Sequence, residues 1–190
     1  MYSDSLPEQT AVRNKWRAAV NSLESKINLG VERQINAITG YARFVLSTQQ
    51  KKSDFLPETD RLELFCSPAC QTICRFLRTQ VDAIRKGLDG ENLGAVLEEI
   101  AVRLYKVLLA HFQAFYYNSS GGLLALSDVK EYQKLINGWR LNARPSSTQD
   151  PGVTAAMEES PKRMFETLQA LTNLLYVPPE NVQSTAKTIS

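Results

Sequence analysis

LGAVLEEIAVRLYKVLLAHFQAFYY, residues 93–117, is the most continuously apolar stretch of the 190-residue chain. At 100° per residue, Leu93, Val96, Leu97, Ile100, Leu104, Val107, Leu108, His111 and Phe115 fall on one arc. Ala101, Val102, Tyr105, Leu109, Phe112 and Tyr116 widen that arc past half the circumference. Glu99, Arg103, Lys106 and Gln113 hold the narrow polar remainder, with Glu99 and Arg103 at the i,i+4 spacing that favours an ion pair. The pattern predicts one buried helix with neighbours on two sides, hence an all-α bundle with this helix at its centre. Glu98, Glu99, Arg103 and Lys106 interrupt the stretch, which argues against a membrane span.

Working outward towards the N-terminus, Val12, Trp16, Val20, Leu23, Ile27, Val31, Ile35, Ile38, Ala42 and Val45 recur at steps of three or four. They predict a helix from about Thr10, a rod of roughly 55 Å that implies an elongated bundle. Gly30 and Gly40 inside it cost about 1 kcal/mol each relative to Ala, which the close approach of a neighbouring helix would explain. Ser67-Pro68 reads as a helix start, a cap donor followed by the residue best tolerated at N1. Cys70, Ile73, Cys74, Leu77, Val81, Ile84 and Leu88 would form its buried face, and Asp89-Gly90 its end. Asn92 is the expected cap of the central helix and Gly121-Gly122 its terminator or kink. A further helical segment is expected over 123–136.

The expected organisation is a disordered start at 1–9, a helical bundle core at 10–136, a disordered or long-loop insert at 137–160, a last bundle helix at 161–177 and a loose tail at 178–190. Ser160-Pro161 is read as the start of that last helix. The fold class is an elongated antiparallel bundle of about five helices.

Net charge is +2, which excludes a polyelectrolyte acting through its overall charge. Residues 10–52 nevertheless carry eight Lys or Arg against Glu24 and Glu32. Lys15, Lys26 and Arg33 line up near whole turns, read here as lying opposite the apolar stripe. With Arg43 they offer a face for anionic lipid or an acidic partner, the competing reading being a solvated helix surface. Nucleic acid ranks below both readings, and no nucleic-acid partner is expected. Cys66, Cys70 and Cys74 are an odd set in one short window, expected as reduced thiols in the cytosol. A metal would need four ligands, and with His111 the sole histidine the cysteines read as buried small hydrophobes. His111 reads as a core histidine bonded to a backbone carbonyl. No nucleophile, base and oxyanion donors converge on any segment, so no catalytic residue, cofactor or small-molecule substrate is expected.

Residues 89–132 carry a specific arrangement: Asp89-Gly90-x-Asn92-Leu93, Val96-Leu97-x-Glu99, Arg103, His111-x-Gln113, Tyr117, Gly121-Gly122-x-Leu124-Ala125 and Asp128-Val129-x-Glu131-Tyr132. Flanking pieces include Ala37-Ile38-Thr39-Gly40, Gln50-Lys51-Lys52-Ser53-Asp54-Phe55, Ala69-Cys70 with Cys74, and Phe165-x-Thr167-Leu168-x-Ala170-Leu171-x-Asn173-Leu174-Leu175. The chain resembles the C-terminal helical region of exocyst complex component five over about residues 12–182 with one interruption. The resemblance implies a rod of the tethering-complex type, a non-catalytic subunit that tethers secretory vesicles to the plasma membrane before fusion. It implies a cytoplasmic protein peripheral at that membrane. Other exocyst subunits are the implied partners, and small GTPases or an anionic membrane surface are further candidates. Against that family's length the chain reads as a fragment or short version.

Overall fold

A computed structural model describes residues 5–58, 66–88, 90–140 and 151–177. It contains helices α1 (Ser5–Gln49), α2 (Pro68–Gly87), α3 (Gly90–Phe112), α4 (Ser119–Arg140) and α5 (Pro151–Tyr176), with a single 3-10 turn at Lys52–Phe55 and no strand among the described residues. The all-α, five-helix expectation holds. The chain divides into two compact units, Met1–Ala37 and Ile38–Ser190.

In the second unit the last turns of α1 bury Ile38, Ala42, Val45 and Leu46, and the Tyr41 ring meets Phe76 of α2 at 4.2 Å. Ser67 caps α2 as its sequence predicts, its side-chain oxygen accepting from the Cys70 N–H at 3.1 Å. Ala69, Cys70, Ile73, Cys74, Leu77 and Val81 make the inner face of α2. Arg78 reaches Glu131 at 2.9 Å and Arg85 donates to the Trp139 carbonyl at 2.9 Å. Both pairs climb α2 and α4 together, so these two helices run in the same sense, as alternate members of an up-and-down array do. Tyr105 of α3 meets Phe165 of α5 edge-on at 6.0 Å.

Several expectations are corrected. α1 starts at Ser5, because Pro7 lies in the first turn, where a missing N–H costs nothing. Residues 1–4 lie outside the described residues. α3 begins at Gly90, whose φ of 52° makes the turn from α2, so Asn92 is inside the helix and not its cap. α3 also stops at Phe112, five residues short of Tyr117. Gly121-Gly122 open α4 instead of ending the central helix. The insert expected at 137–160 is helical over 137–140 and 151–160, and Pro161 sits inside α5. α5 starts instead at Pro151, the residue best tolerated in a first turn, and runs on through the helix formers Ala155, Ala156, Met157, Glu158 and Glu159. Residues 141–150 and the tail from 178 lie outside the described residues. An ideal Cβ on Gly30 or Gly40 would meet nothing within 4 Å, so no close helix approach accounts for them.

Candidate functional site

Three places hold side chains that sequence reasoning connects with function, or that the fold brings together unexpectedly. The first is the exposed length of α1 within the first unit. Val12, Trp16, Leu23 and Ile27 are 63%, 72%, 59% and 53% exposed, and Val20 and Val31 are half-buried. The stripe predicted to face inward is therefore buried only from Ile35 onward. Lys15, Lys26 and Arg33 are exposed and lie within about 20° of one line along the helix. That line runs about 100° from the centre of the stripe, not opposite it. Arg13 and Arg17 lie on its other side, so cations border the stripe on both flanks. Of the carboxylates at 10–34, Glu24 lies on the Arg17 side and Glu32 on the outer surface. Arg43, also exposed, belongs to the second unit.

The second place is buried. Asp128 of α4 is 2% exposed, and its Oδ1 accepts from the Ser67 N–H at 2.6 Å while Oδ2 accepts from the Ser67 hydroxyl at 2.7 Å. One carboxylate thus fixes the residue that caps α2, sixty-one positions earlier. The Sγ atoms of Cys66 and Cys70 and an Asp128 oxygen lie within 4.8 Å of one another, and Cys70 Sγ is 4.0 Å from Cys74 Sγ. Both Asp128 oxygens are already engaged with Ser67, so the arrangement is a helix clasp. Burial, opposed by the Ser67 bonds, pushes the Asp128 carboxyl up to about 6. Burial first, then the nearby carboxylate, raises the Cys66 thiol; a hydrogen bond to Cys74 and burial raise that of Cys70. Protonated thiols are poor nucleophiles. Tyr132, one turn beyond Asp128, is buried with its hydroxyl unpartnered.

The third place is an aromatic nest around Phe55, which is fully buried. Phe115 and Tyr117 approach its ring at 5.1 Å and Phe112 at 6.0 Å. The Tyr117 hydroxyl donates to the Phe112 carbonyl at 2.6 Å, covering an end of α3. Asn118 then caps α4, its Oδ1 accepting from the Gly121 N–H at 2.8 Å, while its own N–H donates to the Phe55 carbonyl at 3.2 Å. A Cβ on Gly121 would overlap the Phe55 carbonyl and sit 2.6 Å from its Cα. Only glycine allows α4 to start against that turn.

His111 borders this nest, its ring edge-on to Phe115 at 4.7 Å. Its Nε2 is buried without a hydrogen-bond partner, so the expected backbone-carbonyl bond is not made by that nitrogen. Burial lowers its pKa to about 4, leaving it neutral near pH 7. Of the other residues assigned to the central core, Leu93, Leu97, Ile100, Leu104 and Leu108 are buried, Val96 is half-buried, and Phe115 lies past the helix end.

The sequence signals that could have located the nest and the clasp are small: Asn118 ahead of two glycines, and Asp128 as the one acid in LLALSDV.

Comparison with known proteins gives one consistent result. The profile described as exocyst complex component Sec10-like, alpha-helical bundle, matches residues 2–190. Exocyst complex component 5 of Caenorhabditis elegans is 43% identical over 178 residues, covering 94% of this chain and 24% of the relative. The human protein of that name is 32% identical over 180 residues, covering 94% and 23%. Exocyst complex component SEC10 of Saccharomyces cerevisiae is 31% identical over 169 residues, covering 88% and 17%. The chain spans about a quarter or less of the length of these relatives.

Proposed function

Because the chain belongs to the Sec10-like α-helical bundle family of exocyst components, we propose that it serves as a non-catalytic part of the exocyst. In this reading it acts by protein contact while secretory vesicles are tethered at the plasma membrane before fusion. The observation that carries it is the family match across residues 2–190. Chemistry supports it: the buried Asp128 carboxylate is spent on the Ser67 clasp and the His111 ring packs beside the Phe55 nest. No helix among the described residues is long and apolar enough to cross a membrane, which fits peripheral attachment. Other exocyst subunits are the proposed partners, with small GTPases as candidates for regulation.

The test is recovery of the tagged chain from a cell extract at moderate salt, with co-purifying proteins identified by mass spectrometry. Several other exocyst subunits are expected. Recovery of none, from a helical and monodisperse sample, would overturn the reading for this chain.

A second reading has its own observation, the single exposed line of Lys15, Lys26 and Arg33. Such a line would gain about 1 kcal/mol per charge at an anionic lipid surface. Sedimentation with phosphatidylserine vesicles checks it. Changing all three residues to Glu should abolish binding, and unchanged binding would sink that reading.

A further inference from the structure

The exposed stripe of α1 has a repeat that constrains what can cover it. Trp16 and Leu23, Val20 and Ile27, and Val31 and Ile38 are each seven residues apart. The same spacing continues through Ile35 and Ala42, and through Ile38 and Val45, all buried. A seven-residue apolar repeat on a helix is the pattern by which one helix seats its side chains between those of another. Where the repeat is buried, at 38–46, it packs inside a helical bundle. Where it is open, at 12–31, the pattern is unchanged.

The borders of the stripe say what kind of helix fits. Arg13 and Arg17 flank one side, and Lys15, Lys26 and Arg33 the other, with Glu24 the only acid on either flank. In paired helices the residues bordering the apolar seam choose the partner by charge. A second copy of this chain would bring the same cations against these. A lipid surface would accept the charge but has no use for a seven-residue repeat. We propose that residues 12–31 of α1 dock an amphipathic helix of a protein partner, apolar at a seven-residue repeat and bordered by carboxylates. The proposal rests on the exocyst-subunit reading and specifies the chemistry of one of its contacts.

Two synthetic 28-residue helical peptides test it, sharing one leucine seam, the first bordered by Glu and the second by Lys. Trp16 is the reporter: it is 72% exposed, whereas Trp139 is 5% exposed, so docking should shift only the Trp16 emission to the blue. The Glu-bordered peptide should bind at least tenfold more tightly than its twin, and less tightly as salt rises. The variant L23D/I27D should lose binding. The variant R13E/R17E/K26E/R33E should reverse the preference, an outcome that loss of folding cannot imitate. Circular dichroism should show both variants as helical as the parent.

Equal affinity for both peptides, or none for either, would overturn the proposal. So would concentration-dependent self-association through Leu23 and Ile27, or their burial only on phosphatidylserine vesicles. None of these results touches the recovery of exocyst subunits by the parent chain, so the two readings fail separately.

Discussion

Trp16 and Ile38 lie on the same helix and obey the same spacing rule, yet one is 72% exposed and the other 1%. The contrast extends to their neighbours. Leu23 and Ile27 are more than half exposed, while Ala42, Val45 and Leu46 are at or below 4%. Apolar periodicity therefore reports that a helix face is meant to be covered, without reporting whether the cover comes from the same chain. A residue covered within the chain contributes to its stability now; a residue covered by a partner contributes only when that partner arrives. Substitutions can separate the two.

The largest effect is expected at Gly121 in the packed unit. Adding a methyl there forces the Phe55 backbone off the start of α4, and backbone cannot yield as a side-chain tip can. Gly121→Ala should cost more than about 3 kcal/mol in denaturant unfolding, at the upper end of overpacking penalties. A loss below 1 kcal/mol would mean that the turn and α4 are not locked together. Next comes the matched pair on α1. Ile38→Ala should cost about 3 kcal/mol because a nearly closed site is left partly empty. Leu23→Ala should cost under about 0.5 kcal/mol in the chain alone. Equal costs would erase the distinction between the two stretches.

This pair also marks where the sequence stops being informative. The helices themselves are legible: α2 is announced by Ser67-Pro68 and its inner face by Cys70, Ile73, Cys74, Leu77 and Val81. The end of α3 is not, because FQAFYY is equally apolar as a continued helix or as a nest folded over Phe55, and what decides is a turn about sixty residues earlier. The start of α5 is missed for a different reason. Asp150-Pro151 and Ser160-Pro161 carry the same start signal, and a proline inside a helix mimics a boundary. Asp128 is hidden by sequence distance, since nothing near it names Ser67 as its partner.

Within the packed unit, pH should expose two opposed contributions. The Asp128 carboxyl, pushed up to about 6 from 3.8 by burial, holds a proton in the folded chain that the unfolded chain has released. Its contribution is present below about pH 4 and lost as pH rises to about 6, a change of about 3 kcal/mol. His111, lowered from 6.5 to about 4 by burial, runs the other way. There the unfolded chain binds the proton, so stability is present above 6.5 and lost as pH falls towards 4. The parent chain should change little in between. Asp128→Asn should leave stability rising with pH, and His111→Gln should leave it falling. Unfolding midpoints at pH 4.5 and 6 read both slopes, and parallel behaviour of the two variants would refute the assignment.

The last and most local effect belongs to the open stretch. Gly30 sits in α1 with nothing within 4 Å of an added Cβ, so Gly30→Ala meets no obstacle in the chain alone. The methyl should raise local helix stability by about 1 kcal/mol, by restricting the unfolded backbone. In hydrogen exchange this should slow the amides around residue 30 by about fivefold and leave those of α2 to α4 unchanged. Gly30 also lies about 50° from the centre of the exposed stripe, close to where a partner helix would approach. The same substitution should therefore weaken the Glu-bordered peptide while strengthening the free helix. Slower exchange with undiminished binding would mean that the partner seats away from Gly30, on the Arg17 side of the stripe. Unchanged exchange would mean that something already protects this part of α1, and the contrast between covered and open stretches would narrow accordingly.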